Sequence, residues 1–166
     1  MKNELINQLE TALNKTTEML AGFSQKDINI SPAENSWSAA QVGRHLYKST
    51  KGMDELLQAP SKPADRKPDE KAEELKQLFL NFDIKMKAPD FIEPENKEYN
   101  KEELLLSLKE TNKKMLDAFQ HNNLEEIAPL QEGHPLQGST KLEILHFVTY
   151  HTMRHNHQLE KIRAQV

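Results

Sequence analysis

The segment from Lys141 to Arg163 contains no glycine or proline, and its apolar residues recur at helical spacing. At about 100° per residue, Ile144, Val148, Leu159 and Ile162 fall on one stripe, which predicts a long amphipathic helix. Because other parts of the chain must cover an apolar stripe of this length, the segment favours a fold built from packed helices.

Two of the seven histidines interrupt this apolar stripe. His151 and His155 fall within it, one helical turn apart, whereas His146 and His157 point to the opposite side. This spacing lets two imidazoles bind one ion from the same face of a helix. A single inward histidine is more often a hydrogen-bonded core residue, but a pair inside an apolar stripe favours a metal site. The pair is not a zincin motif, because Thr152 stands where that motif has its glutamate base.

Three further long helices are predicted upstream of this segment. Helix 1 is expected over residues 2–21, helix 2 from Ser36 or Ser38 to about Gln58, and helix 3 over residues 101–121. The residues expected on the buried face are Leu5, Leu9, Leu13, Thr16 and Leu20 for helix 1. They are Ala39, Val42, Leu46, Ser49, Met53 and Leu56 for helix 2, and Leu104, Leu108, Met115 and Phe119 for helix 3. Together with the last helix, capped by Ser139 or Thr140, they predict an all-α four-helix bundle.

The connection between helices 2 and 3 is expected to cross the bundle. It spans roughly forty residues, whereas a hairpin between antiparallel helices usually takes about 2–8. Helices 2 and 3 should therefore be parallel. Within the connection, residues 59–70 read as a solvated linker with three prolines, and a short helix is expected around residues 71–82, with Leu75, Leu78, Phe79 and Phe82 as its apolar residues.

Composition narrows the classes of function. The 166 residues fit one domain spanning 1–166, with 36% hydrophobic and 29% charged residues and only five glycines. The net charge of −4 and the absence of a basic run argue against nucleic acid. No segment resembles a secretory signal or a membrane span, so we expect a cytoplasmic protein that acts on a small molecule without a membrane partner. A homodimer is a further expectation.

His45 is the third histidine of interest, on the flank of the apolar face of helix 2. Taken alone it is more simply a core histidine, but it can join the pair on the last helix. Three imidazoles suit zinc, nickel or a similar divalent ion. Glu143 and His146 have the spacing of a di-iron carboxylate site, but no second such pair exists, and we interpret both as part of a solvated face.

The remaining polar and aromatic candidates have simpler interpretations. His121 is expected at the end of helix 3 and His134 in a loop that could overhang the mouth of the site. Trp37 is expected to pack against the start of helix 2. Tyr150 and Arg154 flank the histidine pair and are at most expected to contact a ligand or substrate.

The chain resembles the DinB-like superfamily. The resemblance rests on Trp37-Ser38-x-x-Gln41-Val42-x-x-His45-Leu46, on His134-Pro135-x-x-Gly138, and on His151-x-x-x-His155-x-x-Gln158-Leu159. It covers nearly the whole chain in order. It implies a four-helix bundle with an up-down-down-up course and a divalent metal on His45, His151 and His155. Its members include bacillithiol and mycothiol S-transferases, a mycothiol-dependent maleylpyruvate isomerase and proteins described as metal-dependent hydrolases.

The expected function is activation of a small thiol by the metal. Three neutral histidines leave the charge of a bound ion uncompensated, which lowers the pKa of a protic ligand. The chain has no cysteine, so a low-molecular-weight thiol would come from outside as co-substrate. A metal-dependent thiol S-transferase is the first hypothesis, a metal-dependent hydrolase the nearest alternative, and a non-enzymatic, stress-related metal-binding protein the third. The sequence offers no general base, since Glu143 and Glu160 lie on other faces and only Gln41 accompanies His45.

Overall fold

The computed structural model describes residues 1–166 and is mostly helical. Its α-helices are α1 (Lys2–Ala21), α2 (Ala39–Thr50), α3 (Met53–Gln58), α4 (Ala72–Phe79), α5 (Lys101–His121) and α6 (Lys141–Gln165). Two strands of two residues each, β1 (Lys62–Pro63) and β2 (Glu126–Ile127), pair antiparallel. The predicted bounds of helices 1 and 3 are confirmed, and α6 extends two residues beyond its predicted end. None of the helices combines the length and apolar character needed to cross a membrane.

Side-chain caps explain where the helices begin. The Ser38 hydroxyl accepts a hydrogen bond from the Gln41 N–H, and the Gln41 side chain accepts one from the Ser38 N–H. Thr140 and Glu143 form the same reciprocal pair at the start of α6. These capping boxes satisfy N–H groups that have no partner inside the helix. Of the predicted alternatives, Ser38 and Thr140 are therefore the caps.

The prediction of one continuous helix up to Gln58 was wrong. The chain leaves the helix at Lys51, and Gly52 adopts the left-handed conformation with a φ of 79° before α3 begins. Glycine enters this region without the steric cost that a side chain would bring. After the break Leu57 is fully buried, whereas Leu56 is only partly buried.

The core consists of two clusters of 14 buried residues each. Helix α1 packs against α5 and α6, and α2 packs against α5, α6 and α1. A Cβ atom built on Gly43 would lie 3.1 Å from side-chain atoms of both Leu20 and Leu104. This close approach places the start of α2 against the end of α1 and the start of α5. The predicted faces of helices 1 and 3 are buried, whereas Ser49 of helix 2 is only partly buried.

Residues 59–70 are solvated as predicted, since none of them is buried, but they do not form a free linker. This stretch is bound to the start of α6: the Thr140 hydroxyl donates to the Pro68 carbonyl, and Arg66 forms an ion pair with Glu143. The next part of the crossover segment (residues 59–100), helix α4, packs along α6. It has no buried residue, and Leu78 is 41% exposed, because α4 lies on the outside of α6 rather than in the core.

Candidate metal centre

Three histidines from two helices meet inside the molecule. His45 lies on α2, and His151 and His155 lie one turn apart on α6. The Nε2 atom of His151 is 3.1 Å from that of His45 and 3.2 Å from that of His155. One ring nitrogen from each histidine lies within 4.8 Å of the other two. The structure therefore brings together all three predicted residues, which we call the histidine cluster.

Two neighbouring oxygen atoms orient the outer rings of the cluster. The Nδ1 atom of His45 donates to the Ile92 carbonyl oxygen at 2.9 Å, and that of His155 donates to Oε1 of Gln158 at 2.8 Å. A neutral imidazole carries one proton, so a proton on Nδ1 leaves a lone pair on Nε2. Both lone pairs therefore point toward Nε2 of His151.

Burial keeps the cluster uncharged. His45 is 2% exposed and His151 7% exposed. Burial lowers the pKa of His45 despite its hydrogen bond to Ile92, and lowers that of His155 to about 3. The pKa of His151 lies well below its ordinary value, again mainly through burial, with the neighbouring histidines adding to the effect. Neutral imidazoles are the form in which histidine binds metals.

Aromatic rings cover the cluster on two sides. The Trp37 ring lies 5.0 Å from the centre of the His45 ring and stacks on His155 at 6.4 Å. The Phe147 ring stacks on His151 at 5.0 Å. Trp37 also packs against the core beside α2, as expected, so its contact with the histidines adds a function as a wall of the site. These rings keep water from much of the surface of the imidazoles.

A family comparison agrees with this arrangement. A model of the DinB superfamily matches residues 8–159, a range that contains all three histidines. The chain belongs to the DinB superfamily. No curated protein and no solved structure matches it significantly.

The donor set of this DinB-superfamily protein fits a divalent metal. Three neutral imidazole nitrogens this close together suit borderline ions such as zinc or nickel, and they would leave coordination positions for another ligand. No carboxylate belongs to the group. His45, His151 and His155 are therefore the residues that could hold an ion.

Arg154 has a structural role that the sequence did not reveal. Its guanidinium donates to three carbonyl oxygens of the crossover segment, those of Phe79, Asn81 and Ile84, with the Asn81 contact at 2.9 Å. It thereby holds the segment beside His151, against which Phe79 packs edge-on. Backbone carbonyls occur at every residue, so no sequence pattern marks these acceptors.

The interpretation of Glu143 and His146 as a solvated face was wrong. Glu143 is completely buried and binds Arg66 at 2.7 Å, and the Lys71 N–H donates to the same carboxylate at 2.7 Å. His146 contacts the Tyr150 hydroxyl through Nδ1 at 3.1 Å, while its Nε2 atom is buried without a partner. The crossover segment covers this face of α6. Because Glu143 is bound to Arg66, it takes no part in the histidine cluster.

The other histidines lie outside the cluster. His121 is exposed at the end of α5, and His157 stacks on Phe82 at 4.1 Å. His134 accepts a hydrogen bond from the Leu136 N–H, and its ring lies 5.7 Å from that of Phe91. Phe91 precedes Ile92, whose carbonyl contacts His45, so the loop of His134 reaches the segment that borders the site.

Proposed function

We propose that the chain is a metal-dependent transferase that activates a low-molecular-weight thiol at a divalent ion, zinc or nickel, held by His45, His151 and His155. The observation that carries the proposal is the convergence of three neutral imidazoles with no carboxylate in the group. A divalent ion in such a site would supply uncompensated positive charge that lowers the pKa of a thiol.

The residues of the chain would prepare this site. Ile92 and Gln158 hold two of the rings with their Nε2 lone pairs turned inward. Trp37 and Phe147 shield the rings from water, which strengthens electrostatic interactions at the site. The sequence has no cysteine, so the thiol comes from outside. In the reaction its sulfur forms a bond to an electrophilic carbon while the bond from that carbon to its leaving group breaks. The leaving group departs with the electron pair of the broken bond, and the thiol proton passes to solvent.

A metal-dependent hydrolase is the alternative, and the surroundings of the cluster favour it less. Hydrolysis commonly uses a general base beside the ion, and no carboxylate contacts the histidines. Glu143 is bound to Arg66 and Glu160 to Lys15. The Gln41 side chain is used in the cap of α2. A metal-binding protein without activity is the third alternative.

We further propose an up-down-down-up four-helix bundle in one domain spanning residues 1–166. Asn156 of α6 forms hydrogen bonds with Ala12 and Thr16 of α1. Further along the same two helices, Leu159 and Leu20 belong to one core cluster, which supports a parallel arrangement of α1 and α6. Gly43 of α2 lies near Leu104 at the start of α5. Helix α3, which follows α2, shares the other core cluster with the end of α5, so α2 and α3 run parallel to α5 in this proposal.

Metal analysis followed by an activity assay tests the function. Protein purified without a histidine tag should contain about one divalent ion per chain. It should then conjugate bacillithiol, or a surrogate thiol, to an electrophile, and lose this activity on chelation. The His157→Ala variant is the control, because His157 lies outside the cluster. Metal-loaded protein that hydrolyses esters or amides but ignores thiols would favour the hydrolase, and inertness toward both would favour the binding protein.

A further inference from the structure

A network of charges on the surface of α2 flanks His45. Arg44 precedes His45, and Lys48 lies one turn after Arg44 on the same side of the helix. Both bind the Glu95 carboxylate: Arg44 through two contacts of 3.0 and 3.1 Å, and Lys48 through one of 3.2 Å. Lys48 also donates to the Glu93 carbonyl oxygen at 2.8 Å. The crossover segment is therefore bound to α2 on both sides of Pro94.

Tyr99 completes this network from the far side. Its hydroxyl contacts the Glu95 carboxylate at 2.9 Å and the Glu95 carbonyl oxygen at 2.8 Å. Arg44 holds the pKa of Glu95 far below its ordinary value, and burial together with Glu95 raises the pKa of Tyr99 to about 12. The carboxylate is thus charged and held by three side chains, although its side chain is 43% exposed.

The residue that this network holds in place contacts the histidine cluster. Ile92 lies three residues before Glu95, and its carbonyl oxygen accepts the Nδ1 proton of His45. A backbone carbonyl cannot be oriented by its own side chain, so its position depends on what holds the segment. The partners of metal-binding histidines set both the tautomer and the direction of the ring.

We propose that Glu95 is a positioning residue for the metal centre: it binds residues 92–95 to α2, so that the Ile92 carbonyl keeps the proton of His45 on Nδ1 and turns Nε2 toward His151. The effect on metal affinity rests on the function proposed above. The effect on the His45 tautomer does not, because it is a property of the metal-free protein.

The opposing interpretation is that Glu95 is an ordinary surface ion pair. Such pairs contribute little to folding stability, and under this interpretation the loss of Glu95 would leave the His45 ring unchanged. Glu160 offers a matched control, because its side chain is also 43% exposed and forms an ion pair, with Lys15, without touching the histidine cluster. Glu95→Gln and Glu160→Gln each remove one negative charge and preserve the shape of the side chain.

Nitrogen NMR of the histidine rings in the metal-free protein is the deciding measurement. His45 should be the Nδ1–H tautomer in the wild type and in Glu160→Gln, and a mixture of tautomers in Glu95→Gln. An unchanged His45 tautomer in Glu95→Gln would overturn the inference, as would an equal change in both variants.

Cobalt(II) titration adds a second readout and separates the two proposals. Loss of a direct histidine partner typically weakens metal binding about 10- to 100-fold, so the indirect Glu95→Gln change should weaken it about three- to tenfold. Glu160→Gln should match the wild type, and the two metal-free variants should melt at similar temperatures. If the wild type binds no cobalt but Glu95→Gln still changes the His45 tautomer, the metal centre is rejected. The positioning of His45 by Glu95 is then upheld independently of metal binding.

Discussion

The Nε2 atoms of His45 and His151 lie 3.1 Å apart, although 106 residues separate the two histidines in the chain. Two neutral imidazoles at this distance can share one proton or direct their lone pairs at one ion. The Nδ1 proton of His45 is already donated to Ile92. The Nε2 lone pair of His45 can therefore accept a hydrogen bond from a proton on Nε2 of His151, or it can bind an ion between the rings.

Replacing any residue of the histidine cluster should abolish metal binding. We expect His45→Ala, His151→Ala and His155→Ala each to lose the ion, because two remaining nitrogens bind a divalent metal far more weakly than three. His146→Ala and His157→Ala should retain full occupancy. Elemental analysis and calorimetric titration of all five variants measure this. Equal loss in all five, or full occupancy without His151, would contradict the assignment.

Removal of the metal should leave the helices intact. The two core clusters contain 14 buried apolar residues each, so the helices have an apolar core that does not depend on the ion. Circular dichroism after chelation should show the same helical signal and a lower melting temperature, because an ion that binds only the folded state stabilises it. A metal-free protein that is unfolded at room temperature would show instead that the ion is structural.

The ion pair between Arg66 and Glu143 should contribute strongly to stability. Arg66→Ala leaves a completely buried carboxylate without its charged partner, which should lower the free energy of unfolding by about 3 kcal/mol at pH 7. Lys15→Ala is the control: it breaks only the exposed pair with Glu160 and should cost less than about 1 kcal/mol. Urea denaturation measures both, and similar losses would contradict the prediction.

The same pair predicts a pH dependence. Burial acts to raise the pKa of Glu143, but Arg66 and the N–H groups of Thr140 and Lys71 outweigh it, and the pKa lies below 4.5. The contribution of Glu143 is therefore present above pH 4.5 and is lost as the pH falls through the folded-state pKa. In Arg66→Ala burial should dominate and raise this pKa. The stability difference between wild type and variant should narrow between pH 7 and pH 4, and a constant difference would contradict this account.

Two glycines should respond to alanine in opposite ways. Gly52 has a φ of 79°, so Gly52→Ala should destabilise the protein by about 1–2 kcal/mol, even though nothing lies within 4 Å of the added atom. Gly22 ends α1 with a φ of −73°, and a Cβ there would meet Met19 at 3.4 Å. Gly22→Ala should therefore be neutral or stabilising by up to about 1 kcal/mol. Thermal denaturation compares the two, and a larger loss at Gly22 would refute the backbone argument.

The pH dependence of conjugation tests the proposed activity. The rate should rise with pH through a pKa below that of the free thiol, which is about 8.5 for a cysteine side chain, because an ion in the cluster favours the thiolate. His45→Ala should reduce the rate at least as much as it reduces metal affinity. Stopped-flow assays of metal-loaded protein give both values. A profile that follows the pKa of the free thiol would show that the metal does not activate it.

The sequence by itself determined the parts of the fold that depend on local periodicity. The apolar spacing and the caps predicted Lys101–His121 and the start of α6 closely, because helix formation depends on neighbours three and four residues away. The separation of His151 and His155 by one turn follows from the same geometry. The long helix predicted through Gly52 failed where one glycine in the left-handed conformation interrupted an otherwise regular pattern.

Only the tertiary structure decided which distant groups meet. Arg66 pairs with Glu143, Arg154 binds three carbonyls, and the Ile92 carbonyl orients His45, yet no periodicity links any of these partners. Two of the three interactions involve backbone oxygens, which every residue possesses. Their selection depends on the path of the crossover segment over α6 and α2, and this path results from the packing of the whole chain. The pattern of side chains predicted the three histidines of the cluster, and the folded backbone determined what holds them.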